Sequence, residues 1–440
     1  MSDLIDPFIR GFGYSPVDLP LADVEWMTNR RIEAKNSYER LGLPTPRMEA
    51  WKFTNLKDVR KVDFHLATPE FSLAPANLPA SIPALDAYKL VFVNGIFDAD
   101  LSDLTGLPDG VELGSLAKAI EQKPEAFAGK LNKHLDADQD AIVALNTAYL
   151  ADGLYLNVPR AVSLEKPVHL ISVTYQGEDA VCFHPRHLIH IGQGARATLV
   201  ETHVGIATEQ AGLSNSVCEI ELEQDSYLGH YKLQKDHDRM TALSISHVKA
   251  DKNSVYDNFA LQLGAKLVRN DIRVDVDGSH SEIRLNGAYH ADKNRHHDTT
   301  TYVSHNVGDA SCSEVYKGVL DDTGRAVFQA KIYVAKGADG TDGQQLHKAL
   351  LLSDRAEVDA KPELEIYADD VKCAHGSTCG ALDEHQLFYL RSRGIADEEA
   401  RALLVQAYLH DAIDEIQNAS IAEIFHEELS KKLTTQKAGD

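Results

Sequence analysis

From about Leu154 to Ala374 the apolar residues recur at every second position, and no helical pattern breaks the run. Ile272, Val274 and Val276 alternate with Asp271, Arg273, Asp275 and Asp277, and Cys218, Ile220 and Leu222 alternate with Glu219, Glu221 and Glu223. Ala326, Phe328, Ala330, Ile332 and Val334 alternate mostly with polar residues. Successive side chains of a strand point to opposite faces, so each run reads as a strand with one buried face. Turn residues recur between the runs, at Gly194, Asp225, Gly264, Gly278, Gly308, Gly324 and Asp354. The result is a loose repeat of one-strand or two-strand units. Parallel strands joined by helical crossovers would need helices that this stretch lacks. A sandwich is the alternative, but sandwiches rarely run this long. A parallel β-helix, whose coils stack and bury a continuous core, fits best.

On either side of this stretch the period changes. Val24, Met27, Ala34, Tyr38 and Leu41 fall at helical spacing with Gly42 as the stop, and a second helix is expected over about Leu116–Ala128. Between them the chain is irregular, with Pro44, Pro46, Pro69, Pro75 and Pro79. From Leu382 the period returns to 3.6. Asp383 can cap a short helix carrying Leu387 and Leu390 and ended by Gly394. Asp397 can cap a second, with Leu404, Ala407, Tyr408, Ala412 and Ile416 on one face. Ser420 and Glu423 form a capping box for a third, with Ile421, Ile424, Phe425 and Leu429. The expected organisation is a mixed, mostly helical region over 1–150, a β-helix core over 151–380 and a helical domain over 381–440. Those last helices could cover the open end of the β-helix, present a docking face, or both.

The net charge of −23 argues against partners that attract Lys and Arg, namely nucleic acid and anionic membrane. The opening residues lack the basic segment and apolar run of a secretory signal, and no stretch is apolar enough to span a bilayer. Five scattered cysteines suit a reducing cytoplasm better than a disulfide framework.

Catalytic signatures are missing: the sequence has no phosphate loop, no His-Glu-x-x-His helix and no Gly-x-Ser-x-Gly elbow. Any ATP in this protein's work therefore sits on a partner. Cys373-Ala374-His375-Gly376-Ser377-Thr378-Cys379 is the most suggestive constellation, because thiolate and imidazole ligate iron and zinc. On a strand Cys373 and His375 share a face with Val371. The spacing is that of neither a zinc finger nor a ferredoxin, so on residue chemistry alone a core cysteine and a hydrogen-bonded strand-end histidine remain the simpler account. His290, His296, His297 and His305 make a poor metal site, since adjacent His296 and His297 must point to opposite faces. Cys182, Cys218 and Cys312 are expected in the core.

Two longer segments carry a family resemblance. Gly42-Leu43-Pro44-Thr45-Pro46-Arg47-Met48-Glu49-Ala50-Trp51-Lys52-Phe53-Thr54 resembles a stretch typical of the SufD branch of the SufB/SufD family. Asp369–Gly376 followed by Gln386-Leu387-Phe388-Tyr389-Leu390-Arg391-Ser392-Arg393-Gly394 is similar to the closing motif of that family. The SufB branch generally has clustered cysteines near its N-terminus and Glu directly after the closing-motif histidine. This chain has no cysteine before Cys182 and has Gly376 at that place, which favours the SufD branch.

The resemblance implies a right-handed parallel β-helix flanked by N-terminal and C-terminal helices. It implies a non-catalytic scaffold subunit for iron–sulfur cluster assembly, paired with a SufB-like paralogue as a heterodimer and bound to a SufC-type ABC ATPase that carries the ATP. The nascent cluster would form at the shared interface, with His375 the expected interface residue and metal ligand within the complex only, and Cys373 its neighbour. Docking of the ATPase is expected on Leu387, Phe388, Tyr389, Leu390, Arg391, Arg393 and Gly394. Whether the isolated subunit forms a homodimer is left open. The alternatives are a β-helix enzyme acting on polysaccharide, which would be expected to carry a secretory signal and a groove of carboxylates, and a purely structural adaptor.

Overall fold

A computed structural model describes residues 8, 18–67, 73–175, 177–206 and 208–436. The opening segment apart from Phe8, and Pro69, lie outside them. The alternating runs form two parallel sheets that close on each other as a β-helix of about eight turns. The first sheet is built from Leu154–Val158, Arg186–Ile191, Gly212–Leu222, Met240–Ala250, Leu267–Val276, His296–His305, Arg325–Val334 and Glu357–Ile366. The second takes Val168–Thr174, Arg196–Gly205, Tyr227–Lys235, Val255–Gln262, Glu282–Ala291, Ser311–Leu320, Asp342–Leu351 and Lys372–Gly380. Each coil therefore supplies one strand to each sheet, so the two-strand unit is the true repeat.

Register turns the sequence alternation into columns. Leu228, Tyr256, Ile283 and Cys312 are Cα partners in successive coils, and all four are buried in the central core. Ile272, Val274 and Val276 line the opposite wall. Stacking also constrains the corners. A Cβ on Gly278 would lie 1.8 Å from the Lys252 nitrogen, and one on Gly308 would lie 2.1 Å from the Asp339 oxygen. Only glycine lets adjacent coils approach so closely.

Both outer faces of the β-helix are covered, which is why its middle coils are buried inside and out. Helix α1 (Glu25–Leu41) ends at Gly42 with φ +67, as its spacing predicts. The second expected helix is split by Pro124 into α2 (Leu116–Gln122) and α3 (Pro124–Phe127). Helix α4 (Ala141–Tyr149) packs with α1 on the first sheet, where Val143, Ala144 and Tyr149 meet Val217, Leu243 and Ile245. The N-terminal region also gives strands to the sheets: Tyr88–Val93 pairs in parallel with Val168–Thr174, and Glu112–Ser115 pairs antiparallel with Leu154–Val158.

Helices α5 (Glu384–Ser392), α6 (Asp397–Ile413) and α7 (Ala419–Gln436) follow the last coil. They do not cover the open end. Leu409, Ile413, Phe425 and Leu429 pack flat on the outer face of the second sheet, against Phe259, Leu261 and Val319. Burial of each such side chain stabilises by about 1.5–3 kcal/mol. Asp383 caps α5 through the amides of His385 and Gln386, as expected. The other two caps differ. Asp397 lies inside the first turn of α6 and bonds Arg401 instead, because Ala396 holds the extended cap position. Asn418, not Ser420, accepts from the Ile421 amide at the start of α7. Ala407 is exposed, so the buried face of α6 runs through Val405, Leu409 and Ala412. Among the described residues, no helix is long and apolar enough to cross a membrane.

Candidate functional site

The last coil has a neighbour on one side only. Glu357–Ile366 pairs back to Arg325–Val334, and Lys372–Gly380 pairs back to Asp342–Leu351, so each presents a free edge. No residue of either strand is fully buried. The two edges differ in kind. At the two ends of Glu357–Ile366 the amides of Glu357 and of Tyr367, just past the strand, bond back to the preceding coil. By alternation Pro362 falls where an N–H would face outward, and Glu357, Asp359, Lys361, Glu363 and Glu365 add charge. Proline and charge are the usual guards of an exposed edge. In Lys372–Gly380 the Lys372 amide bonds back to Thr341, which leaves the amides of Cys373, His375, Ser377 and Cys379 facing outward. None is a proline, and the side chains are small. This edge is unguarded.

Cys373 and His375 stand on the inner face of that strand, as alternation requires. Cys373 continues the column of Cys312 and Gly343 and packs half-buried against the core. A Cβ on Gly343 would touch Cys373 Sγ at 3.4 Å and crowd Ile332 Cδ1 at 3.1 Å. Burial pushes the Cys373 thiol up, so it is held protonated. His375 lies two residues on, above Gln345 and Glu314 in register, and it is exposed because no further coil stacks over it. Cys379 is exposed on the same strand.

Sequence reasoning missed Glu314, buried to 1% exposure two coils below His375. Its carboxyl accepts from Thr301 Oγ1 at 2.7 Å and from Gln345 Nε2 at 3.4 Å, with no cation beside it among the described residues. Burial pushes its pKa up to about 7. The signal was available, since Glu314 shares its parity with Cys312, already read as core.

The four histidines set aside above do not converge. His296 Nε2 meets Thr54 on the outside of the first sheet, whereas His297 Nε2 meets the Gly264 carbonyl on the other face. Burial lowers the pKa of His290 and His297 to about 3 and of His305 to about 4. Among the described residues no group of three ligating side chains could hold a metal ion. Cys182, Cys218 and Cys312 are buried free thiols, as expected of core residues.

The N-terminal motif has a structural place. The Arg269 guanidinium lies over the Trp51 ring at 4.1 Å and pairs with Asp298, which also accepts from Thr54 Oγ1. Glu49 reaches Lys361 in the last coil at 2.6 Å. The motif thus pins the irregular segment along the outer face of the first sheet as far as the open end.

On the C-terminal helices Phe388 is 71% exposed and Tyr389 56% exposed, flanked by exposed Arg391, Arg393 and Gly394, with Leu390 half-buried. Leu387 is the exception among the expected docking residues. It is buried and holds α5 in place.

Comparison with known proteins agrees with this architecture. Residues 173–408 match the family model described as the SUF system FeS cluster assembly SufBD core domain, and residues 16–170 match the SufBD protein N-terminal region. The iron–sulfur cluster assembly protein SufD of Escherichia coli is 31% identical over 402 residues, covering 90% of this chain and 91% of the relative. A SufBD family protein of Synechocystis is 30% identical over 403 residues, covering 90% and 88%. SufD of Bacillus subtilis is 25% identical over 406 residues, covering 89% and 90%. The chain belongs to the SufBD family of the SUF iron–sulfur cluster assembly system and is a homologue of SufD.

Proposed function

We propose that this chain is a non-catalytic, cytoplasmic scaffold subunit that pairs with a SufB-like paralogue through the unguarded edge Lys372–Gly380. The observation that carries this reading is the contrast between the two free edges: one is blocked by Pro362 and charge, the other offers four outward amides beside His375. An edge of that kind accepts a strand from another chain. Pairing there would enclose His375 and Cys373 at the junction, where an imidazole nitrogen can ligate iron or exchange a proton as the nascent cluster forms. The cluster is cargo of the complex. The SufC-type ATPase would dock on the exposed Phe388 and Tyr389 with Arg391 and Arg393, since aromatic and arginine side chains make effective interface anchors.

The test is His375→Ala and His375→Gln in the co-expressed complex, reading cluster content with complex yield as the folding control. Gln keeps hydrogen-bonding capacity but does not titrate and is a poor iron ligand. Both variants should assemble the complex and lose cluster. Wild-type cluster content in His375→Gln would reduce this subunit to a passive half of the scaffold.

A further inference from the structure

In four successive coils a basic residue stands at the corner that enters the first sheet: Arg239, Lys266, Arg295 and Arg325. Register places them within two residues of one rung, stacked at about 4.8 Å per coil. The N-terminal segment faces them across a groove of about 450 Å3, with Phe53, Val59 and Val62 as its apolar wall and Lys57 beside them. Five cationic residues thus line the groove against one carboxylate, Asp58, in a chain whose net charge is −23.

Three of the five cations have partners. Arg239 pairs with Glu209, Arg295 with Asp238 and Asp292, and Arg325 with Glu357 and Asp359. Lys57 and Lys266 are exposed and form no ion pair among the described residues. Arg295 is only 5% exposed, and its Nε, like that of Arg325, is shielded from solvent yet donates no hydrogen bond. Buried donors normally find an acceptor. A polyanion tracking the corners would need a free cation at every step, and this ladder does not offer one.

We propose that the groove binds a small organic anion, a carboxylate or phosphate ester on an apolar body. The acid group sits between Lys57 and Lys266, and the body lies against Phe53 and Val62. The size is that of an ordinary small-molecule site.

The test is calorimetric titration of the full chain with 1-naphthyl phosphate and with inorganic phosphate. Naphthyl phosphate should bind saturably at one site, at least about tenfold more tightly than inorganic phosphate, because only the ester uses the apolar wall. Lys57→Glu with Lys266→Glu should weaken it about tenfold or more without lowering Tm, both side chains being exposed. Lys336→Glu, exposed and outside the groove, should leave it unchanged. Absence of saturable heat, or equal affinity in the double variant, overturns the site; equal affinity for the two probes overturns its apolar half.

Discussion

Glu314 is a carboxyl buried in the β-helix that accepts from Thr301, Gln345 and, at 4.0 Å, the Cys312 thiol, with no cation beside it among the described residues, and its ionisation is correspondingly opposed. An unfolded glutamate titrates near 4.3, whereas this one titrates at about 7. The folded state therefore binds the proton more tightly. Stability from this group is fully present below about pH 4, declines as pH rises, and is lost above about pH 7, a span of about 4 kcal/mol. Glu314→Gln keeps the shape and removes the titration. Urea unfolding at pH 4 and pH 8 should show the wild type losing stability relative to Gln as pH rises, with the two nearly equal at pH 4. Parallel losses in both proteins would mean that Glu314 is already ionised when folded. At the same scale, Arg186 is fully buried and donates to Glu219, Asn146, Thr147 and Asn132, tying the N-terminal region to the first sheet. Arg186→Ala leaves the Glu219 carboxylate without that partner and should cost about 3–5 kcal/mol, measured by the same denaturation.

Among the elements, the C-terminal helices present two distinct faces. The inner faces of α6 and α7 cover Phe259, Leu261 and Val319, while α5 turns Phe388 and Tyr389 outward. Removing everything after Leu382 would expose that sheet face, so loss of ATPase binding would then report aggregation as much as docking. Phe388→Ser with Tyr389→Ser is the cleaner change. It should lower capture of the SufC-type ATPase about tenfold or more with Tm unchanged. Undiminished capture would place the docking surface elsewhere. Elements also mark what the sequence could reveal. Ile272–Val276 was legible as a strand because one face is apolar and its period is two. Helix α4, AIVALNTAY, was not, because all nine of its residues are buried and no polar face supplies a period. The strand Tyr88–Val93 was hidden for a similar reason, with five of its six residues buried. The cap of α7 missed by two residues because Ser and Asn are interchangeable as capping residues until the backbone selects one, and α6 starts one residue early at Ala396 with no side-chain cap.

For the molecule as a whole, the missing knowledge was which coil comes last. Alternation places Cys373 and His375 on the inner face, but an inner position is buried in a middle coil and exposed in a final one. Nothing in the spacing separates those cases, and the folded helices that could have closed the end lie along the side instead. The open end therefore sets the decisive test of pairing. By parity the Ser377 N–H faces the unguarded edge, and the Ala360 N–H faces the edge already blocked by Pro362. Proline at either place removes an amide that bonds nothing among the described residues, and Ser377→Pro also removes only the long 3.3 Å contact of its hydroxyl with His347 Nδ1, so both variants should keep their Tm within a few degrees. Ser377→Pro should abolish co-purification with the SufB-like paralogue, because it removes a donor from the pairing edge and places a ring in its path. Ala360→Pro should leave co-purification intact. If both retain the partner, pairing does not run through a strand edge. If Ala360→Pro loses it and Ser377→Pro does not, the roles of the two edges are reversed, and His375 lies outside the junction.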